Sequence, residues 1–157
     1  MISSEGIYNM KKILIPIDGS EFSQRALAAG KAIAEAFQSD LILMHVVNMD
    51  TLGMIGDTGY YMEKGTTYFD VHEDLKQKAE ALVSHAKESL GENAPRATTV
   101  VAEGYPPSVI IDYVKNNNID LVVIGSRGMA SAAHKLLLGS VASKVVHGVD
   151  VPVMIVK

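Results

Sequence analysis

Five short apolar runs separated by stretches of helical spacing leave this chain few folds to choose from. The runs are KILIPID (Lys12 to Asp18), DLILMHVV (Asp40 to Val47), ATTVVAE (Ala97 to Glu103), IDLVVIG (Ile119 to Gly125) and VPVMIV (Val151 to Val156). Each is too short for an independent buried helix, and β-branched residues are frequent, so all five read as strands. Between them apolar residues recur every three or four positions. Phe22, Ala26, Ala29, Ile33 and Phe37 form one such face; Val71, Leu75, Ala79, Leu82, Ala86 and Leu90 form the next, with Gly91 as its stop. A third helix, SVIIDYVKNN, follows Pro106 and Pro107, which a first helical turn tolerates, and stops at Asn116 to Asn118. Residues 132–147 read as a fourth, broken at Gly139, with Leu136, Leu137, Leu138, Val141, Val145 and Val146 in the core. Strands alternating with amphipathic helices predict an α/β single domain: an open five-stranded parallel sheet with helices on both faces.

Two segments stand outside that rhythm. Residues 1–10 lack patterning and read as an N-terminal extension outside a domain spanning 11–157, with neither the basic start nor the apolar stretch of a signal peptide. Residues 48–70 hold four glycines and no period, so a long loop is expected: a mobile connection, a ligand lid or a partner surface. The formal charge of −4 carries no basic footprint, and nucleic acid is not an expected partner. No apolar run nears the roughly 20 residues that span a membrane. The absence of cysteine excludes disulfides, thiol nucleophiles and cysteine zinc sites. The expected location is cytoplasmic.

Open parallel sheets bind ligands beyond the carboxyl ends of their strands, where the strand order reverses. Four places qualify: Asp18-Gly19-Ser20, His45 to Asn48, Glu103-Gly104, and Gly125 onward. At Gly125-Ser126-Arg127-Gly128 the glycines allow close backbone approach and positive φ. Successive N–H groups there suit an anion nest, and Arg127 adds a charge-assisted contact to phosphate. Ser140 is placed to cap a helix whose first N–H groups face an anion. The same residues also fit a plain turn before a packed helix. Neither a Walker lysine nor G-x-G-x-x-G is present, and Lys135 and Lys144 are expected to be solvated. Asp18 suits three roles: an acceptor for adenine or ribose, a metal holder through phosphate oxygens, or a cap for the helix at Glu21. The helical His72, His85 and His147 lack an i, i+4 ligand partner. His134 is expected in solvent and His45 as a buried imidazole. Without a nucleophile elbow, no Ser–His–Asp set assembles.

Taken in order, KKILIPIDGSEFSQRAL, ILMHVV, EGYPPSVII, DLVVIGSRG, LLLGSVASKVV and PVMIVK resemble the universal stress protein family over Lys11 to Lys157. That resemblance implies strand order 3-2-1-4-5 and a homodimer through the last strand, Val151 to Val156. It also implies adenine-nucleotide binding in the branch that carries G-x2-G-x9-G-[ST], whose defined residues are matched by Gly125, Gly128, Gly139 and Ser140. On this likeness the triphosphate and ribose lie on those residues and Arg127, with Val141 and Ala142 at the helix start. Adenine and ribose lie near Pro16, Ile17, Asp18 and Val46. The chain departs from the pattern once: ten residues, Met129 to Leu138, separate glycines that the family spaces by nine. The extra residue is expected to bulge within Met129 to Ala133. The implied function is a stress-response sensor or adaptor that binds ATP, ADP or AMP, with Mg²⁺ or Mn²⁺ held mainly by phosphates. With no water-activating base in view, hydrolysis is expected to be slow at most. The alternative is a nucleotide-independent dimeric interaction module.

Overall fold

The computed structural model describes residues 10–50, 65, 67–129 and 137–157. Five strands, β1 (Lys12–Pro16), β2 (Asp40–Asn48), β3 (Ala97–Gly104), β4 (Leu121–Gly125) and β5 (Val153–Val156), form one sheet in the order β3-β2-β1-β4-β5. Every pairing is parallel. The helices are α1 (Glu21–Phe37), α2 (Tyr68–Ser89), α3 (Pro106–Asn116) and α4 (Ser140–Gly148), with a 3₁₀ turn at Gly91–Arg96. This is the fold class and strand order expected from the sequence.

The side-chain period of two divides each strand between two cores. Ile13, Ile15, Leu41, Leu43, Leu121 and Val123 face α1 and α2, meeting Ala26, Leu27, Ala34, Ala86 and Leu90. Leu14, Ile42, Met44, Val122 and Ile124 face α3 and α4, meeting Ile110, Val114, Ala142 and Val145. Full burial of one such Leu or Ile stabilises by about 1.5–3 kcal/mol. Apolar residues on both faces explain why the strands read as continuous runs and not as alternation.

Several local expectations change. The inner face of α1 is Ser23, Ala26, Leu27, Gly30 and Ala34, small residues except for Leu27, while Phe37 is 47% exposed. The cause is close approach: a Cβ on Gly30 would stand 2.3 Å from Cδ1 of Ile15, so bulky residues are displaced to the flanks of the helix. Leu137 and Leu138, assigned to the core from sequence, are 67% and 40% exposed because they precede a helix that begins only at Ser140. Val146 is exposed because it lies off the buried row Ala142, Val145 and Val149. Leu136 lies outside the described residues, as do residues 1–9. Met10 packs against the α1/α2 core, and its carbonyl accepts from the Ser39 hydroxyl.

The expected 48–70 loop is shorter at both ends, for Asn48 closes β2 and α2 starts at Tyr68, before Val71. Of the remaining residues, 51–64 and 66 lie outside the described chain. The early start of α2 comes from a capping box. Thr67 Oγ1 accepts from Asp70 N at 3.2 Å, and Asp70 Oδ2 accepts from Thr67 N at 2.8 Å. The Thr67 hydroxyl, then its N–H, hold the Asp70 carboxyl below its ordinary range. Because that value is lowered on folding, the carboxylate's share of the cap operates above the ordinary carboxylate range and fades as pH falls through the lowered value. Replacing Thr67 with alanine is expected to destabilise the protein by about 1 kcal/mol at neutral pH. Urea unfolding at neutral and strongly acidic pH measures this, with the wild-type advantage shrinking in acid.

Candidate functional site

The strand order reverses at β1: the chain leaves it for β2 on one side, and β4 flanks it on the other. Beyond the carboxyl ends of β1, β2 and β4 lies a cavity of about 360 Å³. Pro16, Ile17 and Asp18 enter it from the end of β1, and Val46 from β2. Gly125, Arg127 and Gly128 come from the end of β4; Gly139, Ser140, Val141 and Ala142 come from the start of α4. The eleven residues expected to hold a nucleotide thus line one space, whereas Gly19, Ser20, Glu103 and Gly104, also at strand ends, do not line it. Met44, Pro106, Ile110 and Met129 line it as well and are not among the residues expected there, while His45 and Asn48 come from the β2 end that the strand-end rule selects. The strand period could have found part of that set, since Met44 and Asn48 share the face of Val46.

The glycines act differently from expectation. Neither Gly125, Gly128 nor Gly139 has positive φ. Gly125 is bare because a Cβ there would stand 2.8 Å from the carbonyl carbon of Phe22, in the first turn of α1. Gly139 lies against the other cluster: its N–H donates to Ser126 O at 2.7 Å, and an added Cβ would meet Arg127 Cα at 3.1 Å. The two donor-rich segments are therefore in direct contact across the longer spacing. The expected bulge itself falls largely on residues outside the described chain.

This contact also decides the helix cap. Gly139, and not Ser140, is the N-cap of α4, with no side-chain cap bond, and Ser140 is the first helical residue. The first intrahelical bond runs from Ser143 N to Gly139 O at 2.9 Å. The N–H groups of Ser140, Val141 and Ala142 precede it, so they are the orphan donors of the helix end that lines the cavity.

Asp18 does not cap α1. Ser20 does, its side chain accepting from Ser23 N at 3.1 Å. The Asp18 carboxylate instead joins two strand ends: Oδ1 accepts from Ser20 N at 2.9 Å and Oδ2 from Met129 N at 3.2 Å. A Cβ on Gly128 would stand 2.6 Å from the same Oδ2. Thus Gly128 makes room for a carboxylate of the chain itself. Arg127 stacks on Phe22, its guanidinium carbon 5.7 Å from the ring centroid. His45 is half-buried and Nδ1 lies 2.6 Å from Ile17 O, a carbonyl that only accepts, so Nδ1 carries the proton. His72 pairs with Glu103 at 3.0 Å, away from the cavity. Among the described residues no three His, Asp or Glu side chains gather as a metal site.

The sequence profile of the universal stress protein family matches residues 9–157. The chain belongs to that family. It is 32% identical to universal stress protein YxiE of Bacillus subtilis, over 93% of this chain and 98% of that one. The solved structure of MJ0577, a universal stress protein of Methanocaldococcus jannaschii, superposes with a TM-score of 0.78 at 25% identity, covering 95% and 96% of the two chains. A universal stress protein from Archaeoglobus fulgidus in complex with dAMP shares the fold at a TM-score of 0.63 and 20% identity, covering 96% of this chain and 99% of that one. One in complex with cAMP does so at 0.59 and 21%, covering 94% and 97%.

The packing at Gly125 and Gly128 predicts unequal costs for alanine. Gly125→Ala forces a methyl against helix backbone and is expected to cost roughly 3 kcal/mol, read as a lower urea midpoint. Gly128→Ala meets only the end of the Asp18 side chain, so it is expected to release the Asp18–Met129 contact at under about 1 kcal/mol.

Proposed function

We propose that this universal stress protein binds an adenine nucleotide, ATP before ADP or AMP, in the cavity between β1 and β4. The observation that carries the reading is the polarity of that space across the strand reversal. On the β1/β2 side the lining is mainly apolar, with Pro16, Ile17, Met44 and Val46 beside His45 and Asn48; on the β4 side stand the orphan N–H groups of α4 and Arg127. A flat base belongs to the first half and phosphates to the second, because helix starts attract anions. Asp18 lies between them, a carboxylate suited to accept from ribose hydroxyls. The volume of about 360 Å³ falls within the range of ligand pockets, roughly 300–1,000 Å³. The family members solved with dAMP and with cAMP support the same class of ligand.

A Mg²⁺ or Mn²⁺ ion entering with ATP would be held mainly by phosphates, since Asp18 is the one carboxylate among the described lining residues. Both Asp18 oxygens already accept backbone N–H bonds, which fits slow hydrolysis at most. The reading is therefore a nucleotide-linked sensor or adaptor. It includes pairing of two copies through β5, an edge strand on which Met154 is exposed. That strand runs Val153–Val156, two residues shorter than the sequence suggests, with Pro152 O already accepting from Val122 N.

Isothermal titration of the purified chain with ATP, ADP and AMP tests the proposal. Binding in the micromolar range or tighter is expected, with a raised melting temperature. No heat and no thermal shift at millimolar ATP would sink it. That result would favour a nucleotide-independent interaction module, for which the exposed Met129, Leu137 and Leu138 would be the surface.

A further inference from the structure

We propose that Lys144, held on the cavity rim by Tyr105, makes the site discriminate nucleotides by the length of their phosphate chain. The inference rests on the adenine-nucleotide reading above and adds a residue that lies outside the cavity lining.

The charge of the cavity poses the problem. Among its described lining residues the charged groups are Asp18 and Arg127, one of each sign, and Arg127 leans over Phe22. The α4 N–H groups supply partial charge over one turn, enough to position a single phosphate. A second and third phosphate bring further negative charge that these groups leave uncompensated.

Lys144 is the next cation along the same helix. It follows Ser140, a lining residue, by four positions, so the two share a face with Cβ atoms about 5–6 Å apart. Helical side chains lean toward the N-terminus, which carries the Lys144 stem back over the turn that begins at Ser140. The far end of the side chain is fixed. Its ammonium donates to the Tyr105 hydroxyl and lies 4.9 Å from the centroid of the Tyr105 ring. Tyr105 is the N-cap of α3, and the next residue, Pro106, lines the cavity. The pair therefore ties α4, one turn past its start, to the N-cap of α3, beside the lining residues Ser140 and Pro106.

An exposed lysine ordinarily loses rotamer freedom when it engages a ligand. Here Tyr105 has already removed much of that freedom, so less is lost on binding. An ammonium has three donors and the tyrosine oxygen takes one, leaving N–H groups for phosphate oxygens without breaking the pair. A monophosphate seated on the α4 start lies short of this ammonium. The second and third phosphates, extending toward the mouth, come within its reach.

The test is titration of the full chain, wild type and variants, with ATP, ADP and AMP at fixed salt. Lys144→Met is expected to weaken ATP about five- to tenfold while AMP stays within about twofold. Lys144→Arg is expected to retain the preference. Tyr105→Leu, which frees the ammonium, should weaken ATP by a smaller factor of about two to three. Raising salt should narrow the wild-type ATP-to-AMP ratio and leave that of Lys144→Met nearly flat. The proposal is overturned if Lys144→Met leaves both affinities unchanged, or lowers both equally. A wild-type protein that binds neither nucleotide overturns the adenine-nucleotide reading and this one with it; a wild type that binds both isolates the test to Lys144.

Discussion

Gly125 is bare because the first turn of α1 occupies the place of its side chain. That contact is the constraint on which the candidate site depends. It brings the carboxyl end of β4 against the helix that leaves β1, at the position where the strand order reverses. The sheet alone would separate neighbouring strands by the usual spacing of about 4.8 Å and leave their loops independent. With Phe22 backbone seated on Gly125, the turn Ser126 to Gly128 is held over the end of β1, and Asp18 bonds to Met129 N.

The second half of the cradle is fixed to the first by Gly139. Its N–H goes to Ser126 O, and an added Cβ would stand 3.1 Å from Arg127 Cα, a tight contact that would push the two segments apart. Holding Gly139 in that place makes it the cap residue and leaves Ser140 to begin α4. An uncapped helix start would be a cost in an ordinary loop, because its N–H groups lack acceptors. Beside the candidate site the same lack leaves a set of donors of the kind that suits an anion. Asp18, Arg127 and the α4 start thus form a single charge arrangement assembled from three chain segments.

Much of this was legible along the chain. Strands buried on both faces announce themselves as apolar runs, and the rule that ligands lie beyond strand carboxyl ends selected Asp18, Gly125 and their neighbours. Sequence failed where distance between elements decides the outcome. Phe37 repeats with the apolar period yet is exposed, because α1 packs through Gly30 too closely for large residues. Leu137 and Leu138 are as apolar as core residues, but the helix expected to bury them starts only at Ser140. The Thr67–Asp70 box is present in the sequence as a spacing, but the glycine-rich stretch before it carries no helical period that marks a helix start.

The sequence by itself determined the α/β class, the parallel sheet, the family and the residues that gather at the strand reversal. Those follow from local periodicity and ordered motifs, which a linear chain carries in full. Only the tertiary structure decided what the glycines are for, which residue caps α4, and where Asp18 directs its two oxygens. Each of those is a contact of a few ångströms between segments far apart in the chain, and such distances are set by packing across the sheet.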